Sequence, residues 1–347
     1  MTTIHVDASG SYDVTVECGI LDRIGEESAK LVKPCRAVIV SGEKVFPLYA
    51  EKVVNSLENA GFEVLTFIHK SGEGAKSLAT FGELQSFLCE NHISRSDVLF
   101  ALGGGVTGDL TGFAAATYQR GIAFIQIPTT LLACVDSSVG GKTAINLAAY
   151  KNQVGCFYQP KAVFCDPDVL STLSDEDYRC GCAEVIKYGV LSDAEFFEML
   201  AESDIRENEE YVISRCVEMK RDVVQADEFD NAQRRLLNLG HTIGHAVEKC
   251  SDFAISHGDA VAIGTAAIMR GAAKRGICSD SDCARVIEVL KKHGLPTELC
   301  FECDELFEAC KSDKKIADSK MHLVVPEKIG SCRIISIEID EIKSWLQ

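Results

Sequence analysis

Asp97-Val-Leu-Phe-Ala-Leu-Gly-Gly-Gly-Val-Thr-Gly-Asp-Leu-Thr-Gly-Phe-Ala-Ala-Ala-Thr-Tyr118 is the stretch from which the fold can be read. A short apolar run ending in glycine reads as a strand buried on both faces. Gly103, Gly105 and Gly108 then fit G-x-G-x-x-G, and Leu110 to Tyr118 reads as a helix. Strand, glycine turn and helix in that order expose backbone N–H groups at a helix start, where phosphate is favoured. The usual dinucleotide fingerprint also asks for an acid about 20 positions later. The next strand ends instead in Ile127-Pro-Thr-Thr130. A tight turn without a ligand stays open beside a phosphate-binding turn outside the standard pattern. The strand–loop–helix setting favours the second.

Working outward, Arg36 to Val40, Glu63 to Ile68 and Ala123 to Ile127 are further apolar, β-rich runs. Tyr49 to Ala60 and Leu78 to Asn91 read as helices between them, which describes a mainly parallel sheet. Thr3 to Val6 and Tyr12 to Glu17 read as an opening hairpin around Ser9-Gly10. After about Thr172 long helical periodicity takes over, in Asp193 to Glu202, Glu209 to Ala226 and the Ala- and Gly-rich Asp259 to Arg275. A strand-like pair, His322 to Pro326 and Cys332 to Ile337, precedes a terminal helix. The expected architecture is a Rossmann-like α/β domain over residues 1–173, followed by a mainly α-helical domain over 174–347. The active site is expected in the cleft between them.

Composition narrows the function. The 347 residues suit about two domains at roughly 150 residues each. With 35 basic against 52 acidic residues, net −17, the chain repels nucleic acid and anionic lipid, and an anionic ligand needs a locally built cationic pocket. The longest uncharged stretch, between Arg120 and Asp136, is shorter than the ~20 apolar residues of a spanning helix, and no signal-like segment opens the chain. The sixteen cysteines include Cys300 and Cys303 as CxxC and Cys180 and Cys182 as CxC, neither with a second pair at zinc spacing. A reducing cytoplasm is the expected compartment.

Two further motifs carry chemistry. Gly141-Lys-Thr143 resembles the end of a nucleotide triphosphatase loop, but Asp136 stands where that motif needs glycine. Lys142 among glycines still points to an anion. His241 and His245 share a helix face at i and i+4, and His257 follows beside Gly258-Asp259. A metal and a set of satisfied buried histidines both fit this spacing. Glu184 lies on an apolar helix with Lys187 at i+3, and a lone carboxylate there needs a partner or a metal. Two histidines with one carboxylate leave the open coordination position that catalytic zinc requires.

Gly103 to Phe113, Thr117-Tyr-Gln-Arg-Gly121, Pro128-Thr-Thr-Leu-Leu132, Asp136-Ser-Ser-Val-Gly-Gly-Lys-Thr143, Lys151-Asn152, Phe157-Tyr-Gln-Pro160, Ala183-Glu-Val-Ile-Lys-Tyr-Gly189 and Asn238-Leu-Gly-His-Thr-Ile-Gly-His-Ala246 occur in one order. In that order the chain resembles the 3-dehydroquinate synthase family, from about Ser71 to Gly330. The resemblance implies conversion of 3-deoxy-D-arabino-heptulosonate 7-phosphate to 3-dehydroquinate in the shikimate pathway, with catalytic NAD+ and a divalent metal, zinc or alternatively cobalt. It implies Glu184, His241 and His257 as metal ligands and moves His245 to a catalytic role. It assigns NAD+ to Ser71, Gly72, Glu73, Gly74, Ala75, Lys76, Gly105, Val106, Thr107, Gly108, Asp109, Thr129, Thr130, Lys142, Lys151, Val169, Leu170, Ser171 and Thr172. Lys142, Lys187, His245, Asn238 and Arg234 are implied in catalysis, and Asp136, Asn152, Lys220, Lys314 and Lys315 in substrate binding. Arg120 matches an arginine that reaches the substrate phosphate of the neighbouring subunit, which implies a homodimer.

A substrate with both carboxylate and phosphate explains so many cations in so acidic a chain. A metal- and NAD-dependent polyol dehydrogenase, the main alternative, needs no such ring. Another sugar-phosphate cyclase is disfavoured by Arg234 and Asn238. The sequence departs from the family pattern at Ser41-Gly-Glu-Lys44, where an acid or amide usually serves the adenosine ribose and Glu43 is the nearest substitute. It departs again at Asn146-Leu-Ala-Ala-Tyr-Lys151 and at Ser174 to Tyr178.

Overall fold

The computed structural model describes residues 1–148, 150–311 and 320–346, and it sets the run around Leu99 inside a seven-stranded sheet. Its strands are β1 (Thr2–Val6), β2 (Tyr12–Val16), β3 (Arg36–Gly42), β4 (Glu63–His69), β5 (Val98–Gly103), β6 (Ala123–Pro128) and, beyond a separate hairpin of β7 (Lys142–Leu147) and β8 (Tyr150–Phe157), β9 (Ala162–Cys165). They lie in the order β1-β2-β9-β6-β5-β3-β4, with β1 antiparallel to β2 and the other neighbours parallel. β5 is buried at every residue and β3 at all but its first, which is why their sequences run apolar instead of alternating.

Helices α1 (Ile24–Ala29), α2 (Phe46–Asn59), α3 (Leu78–Glu90) and α4 (Gly105–Thr117) fall between strands. The core joins Val38 and Val40 of β3, Leu99 of β5, Phe124 of β6, Leu84 and Leu88 of α3 and Leu110 and Ala114 of α4. The chain leaves β3 for β4 on one side and returns to β5 on the other. The winding reverses between β3 and β5, and open α/β sheets bind ligands beyond the strand ends at such a point. Gly104, the single residue between β5 and α4, lies there.

α5 (Asp175–Ser192), α6 (Ala194–Glu202) and α7 (Glu209–Ala226) follow, then α8 (His241–Cys250), α9 (His257–Lys274), α10 (Asp280–Lys292), α11 (Cys303–Lys311) and a hairpin of β10 (Lys320–Lys328) and β11 (Ser331–Glu338). The chain forms two units, one of Met1–Leu173 with Glu210–Phe229, the other of Ser174–Glu209 with Asp230–Gln347. The units divide between Leu173 and Ser174, and nearly all of α7 belongs with the sheet unit. Its buried face, Val212, Ile213, Cys216, Val217 and Val224, shows amphipathicity in the sequence but not which core it joins. In the second unit α9 packs against both α5 and α8. The α8–α9 approach is close: a Cβ on Gly264 would stand 2.0 Å from the Gly240 carbonyl oxygen.

Other elements differ from the expectation. α4 begins at Gly105 and not Leu110, because packing overrides the poor helix propensity of glycine. A Cβ on Gly108 would lie 2.7 Å from Gln126 Oε1. The terminal helix is a 3-10 turn, Ile339–Ser344. No helix among the described residues is long and apolar enough to cross a membrane.

Candidate functional site

Three helices of the second unit bring their polar residues together. Glu184 comes from the middle of α5, His241 opens α8 and His257 opens α9. One ligand atom from each lies within 4.8 Å of the others. Glu184 Oε1 is 3.6 Å from His241 Nε2 and 3.4 Å from His257 Nε2. His241 points its other nitrogen, Nδ1, at the Leu239 carbonyl, 3.1 Å away. His257 Nδ1 faces Glu248 Oε2 at 3.5 Å. Two imidazoles and a carboxylate converging from rigid helices are a donor set that suits zinc or cobalt. His245, one turn along α8, has its ring centroid 5.5 Å from that of His241 and 6.3 Å from that of His257.

Electrostatics favour a cation here. Burial drives the His241 pKa down to about 3, with Lys187 and the other two imidazoles adding to the effect against Glu184. Burial works against a charge on His257 as well, yet hydrogen bonds to Glu184 and Glu248 outweigh it and carry its pKa to about 10. The two carboxylates thus favour positive charge on the His257 ring. Lys187, fully buried, forms an ion pair with Glu184 Oε2 and donates to the Leu237 carbonyl at 2.9 Å. That carbonyl lies in the turn Gln233–Asn238, which holds buried Arg234 and half-buried Asn238.

The sheet unit carries a second cluster. Gly105, Val106, Thr107, Gly108 and Asp109 form the first turns of α4, whose N-cap Gly104 provides no side-chain cap. The first N–H groups of such a helix are left for a ligand. Side chains would close this approach, since a Cβ on Gly105 would lie 2.9 Å from Ser137 Oγ. Ser71, Gly72, Glu73, Gly74, Ala75 and Lys76 form the loop after β4. Lys76 is buried and donates to Asp109 Oδ2 at 2.6 Å and to Asn152 Oδ1 at 2.5 Å. Burial pushes the Asp109 carboxyl up despite the opposing pull of Lys76. Thr129 donates its N–H to the Gly103 carbonyl at 3.0 Å, and Thr130 Oγ1 accepts from Ala133 N at 3.1 Å. Val169, Leu170, Ser171 and Thr172 lie in the 3-10 turn Pro167–Thr172, where the Tyr49 hydroxyl donates to the Val169 carbonyl at 2.8 Å. Glu43 reaches the loop after β4, where its Oε1 accepts from Ser71 N at 3.3 Å.

Lys220 of α7 is buried, with Nζ 3.0 Å from Asp136 Oδ1 and 2.5 Å from the Asp136 carbonyl. Asp136 belongs to a π-helical turn, Ala133–Ser137. Lys142 is exposed at the start of β7, and Lys151 is half-buried on β8.

The family model for the 3-dehydroquinate synthase N-terminal region matches residues 66–180, and that for the C-terminal region matches 181–316. The 3-dehydroquinate synthase of Streptococcus suis is 43% identical over 343 residues, 97% of each chain. The chain belongs to the 3-dehydroquinate synthase family. Among solved structures, the 2-epi-5-epi-valiolone synthase of Streptomyces hygroscopicus subsp. jinggangensis, with NAD+ and Zn2+ bound, superimposes with a TM-score of 0.89 at 28% identity, covering 99% of this chain and 98% of that one. A 2-deoxy-scyllo-inosose synthase complexed with carbaglucose-6-phosphate, NAD+ and Co2+ shares the fold, with a TM-score of 0.88 at 24% identity and 99% coverage of both chains.

Of the residues that the resemblance implies, two from different assignments meet in the sheet unit. Asn152, assigned to substrate, is hydrogen-bonded to Lys76, assigned to NAD+. Arg120 is exposed on the turn Tyr118–Arg120. Its φ of +68° follows Gln119 at +47°, and Arg95 holds the Gln119 carbonyl from Nε and Nη2 at 3.0 and 2.9 Å. Lys314 and Lys315 lie outside the described residues. Sequence reasoning passed over Glu248, although its spacing of seven from His241 places it on the same face of α8. It also passed over Asn146, whose Nδ2 donates to Glu73 Oε1 at 2.8 Å and whose Oδ1 accepts from Asn152 N at 2.8 Å.

Proposed function

We propose that this chain is a 3-dehydroquinate synthase, converting 3-deoxy-D-arabino-heptulosonate 7-phosphate to 3-dehydroquinate and inorganic phosphate. The observation that carries the reading is the convergence of Glu184, His241 and His257 in a chain that matches 97% of the length of a curated 3-dehydroquinate synthase. When bound, the divalent ion acidifies the hydroxyl to be oxidised, and NAD+ takes up and later returns a hydride, so the cycle is redox-neutral.

The chain's own residues do the rest. Glu184, His241 and His257 hold the ion, and Lys187 offsets the Glu184 charge. The open end of α4 and the Ser71–Lys76 loop hold the NAD+ phosphates and ribose, with Thr129, Thr130, Lys142, Lys151 and the Val169–Thr172 turn beside them. Asp136, Asn152, Lys187, Lys220, Arg234, Asn238, Lys314 and Lys315 bind the hydroxyls, carboxylate and phosphate of the substrate. Ketone formation acidifies the adjacent C–H; loss of that proton expels phosphate with the C–O electron pair. His245 relays protons. Ring opening and an intramolecular aldol step close the carbocycle. Arg120 serves the phosphate of a second subunit, in a cytoplasmic homodimer.

The test is incubation of purified protein with this substrate, catalytic NAD+ and Zn2+. Equal release of phosphate and 3-dehydroquinate without accumulating NADH is the expected result. Steady NADH production from a polyol, with no phosphate released, would instead establish the dehydrogenase.

A further inference from the structure

We propose that Glu248 is a positioning residue for the metal centre. Its carboxylate accepts the Nδ1 proton of His257 and so turns the Nε2 lone pair toward Glu184 and His241. This rests on the metal reading given above and names a residue outside the ligand set.

Four observations carry it. Glu248 lies seven residues after His241, two turns along one face of α8, and α8 packs against α9, where His257 sits. Its side chain is buried, 4% exposed, and a carboxylate is retained in such a place only when it is paired. Its Oε2 faces His257 Nδ1 at 3.5 Å while His257 Nε2 faces Glu184 Oε1 at 3.4 Å, so the ring spans two carboxylates. Finally, the two histidines are oriented by different means. His241 is held by the Leu239 carbonyl, whereas His257, the first residue of its helix, has Glu248 at the corresponding nitrogen.

An acceptor behind a ligating imidazole fixes its tautomer, restricts its rotation and raises its basicity. Loss of such an acceptor typically lowers metal affinity by about 10–100-fold. The backbone carbonyl behind His241 cannot be deleted by substitution, but Glu248 can.

The experiment uses full-length protein stripped of metal. Zn2+ and Co2+ affinities are measured by competition with a chromophoric chelator for wild type, Glu248→Gln and Glu248→Leu. Wild type should take up one equivalent. Glu248→Leu should bind about 10–100-fold more weakly, with altered Co2+ absorption bands. Glu248→Gln should fall between them, because its amide oxygen still accepts the Nδ1 proton without the charge. Melting of the metal-free proteins separates positioning from packing. A merely structural role would lower melting temperature and leave the affinity of folded protein intact, and that result would overturn the proposal. Equal affinities and identical Co2+ spectra in all three proteins would also overturn it. A wild type that takes up no metal would remove the metal reading and this inference with it.

Discussion

Gly258 offers the sharpest test of how the metal centre is spaced. It follows His257 in the first turn of α9, and its N–H donates to Cys180 Sγ at 3.2 Å. A Cβ added there would lie 2.3 Å from the Cys180 carbonyl oxygen, 2.5 Å from its Cα and 2.7 Å from its carbonyl carbon. All three atoms are main chain of α5, one turn before Glu184, so no rotamer change relieves the overlap. In Gly258→Ala the start of α9 must retreat by roughly 1 Å to reach ordinary van der Waals separation. His257 moves with it, and the 3.4 Å gap between its Nε2 and Glu184 Oε1 opens by a comparable amount. Metal–ligand distances hold to about 0.2 Å, so zinc affinity should fall at least as far as on losing a supporting partner, about 10-fold or more. Overpacking should also cost about 1–3 kcal/mol of stability. Chelator competition and elemental analysis read the first effect, and melting of the metal-free protein reads the second. Shortening Cys180 to alanine in the same protein should rescue neither. A Gly258→Ala enzyme with wild-type zinc affinity and turnover would refute the idea that contact between α5 and α9 sets the ligand spacing.

Other expected outcomes follow from the same geometry. His257→Ala should lose metal and turnover together, whereas His245→Ala should keep most of its metal and lose about 10–100-fold in turnover; metal analysis beside kcat distinguishes them. Arg120→Ala and Lys142→Ala should each be nearly inactive, yet mixing them under subunit exchange should restore roughly a quarter of wild-type activity, since half the dimers then carry one intact site. Verified mixed dimers without activity would place Arg120 in its own subunit's service or in a structural role. Burial holds the His69 pKa below its ordinary value, against a smaller pull from the Lys70 carbonyl and Glu43. The native ring takes up its proton at lower pH than the unfolded chain, which does so below about pH 6.5, so stability is full above that pH and falls with acid by up to about 1.4 kcal/mol per unit. Denaturant midpoints for His69→Gln should therefore depend less on pH between about 6.5 and 5.5 than those of wild type.

The sheet was legible because burial on both faces leaves a continuous apolar signature, as in Val98–Gly103. The glycine turn was legible because the residues that spare room for a ligand are the same ones that mark the turn. The metal cluster was legible only in part. Local spacing favours His241 with His245, because i and i+4 are neighbours on any helix. The observed convergence depends on where α5, α8 and α9 cross, which is set by contacts between Gly258 and Cys180 and between Gly264 and Gly240. Such contacts span dozens of residues and leave no periodic trace. The resemblance assigns Lys220 to the substrate, and its helix was expected in the second domain. Its bond to Asp136 shows that helix serving the sheet instead.

The placement of α7 has a consequence for how the protein is made. The sheet unit consists of Met1–Leu173 and Glu210–Phe229, so it is incomplete when the ribosome reaches Leu173. At about 5–20 residues per second, several seconds pass before Phe229 has been synthesised. Throughout that interval the turn bearing Asp136 lacks its lysine, Ser9 lacks the carboxylate of Glu228 that accepts from its N–H and hydroxyl, and Phe157 lacks the ring of Phe229. A nascent chain in this state presents unfinished apolar and polar surfaces to chaperones and to other nascent chains. A gene fragment ending at Leu173 would make that unfinished state permanent, so expressing the sheet unit alone requires residues 210–229 to be grafted onto it.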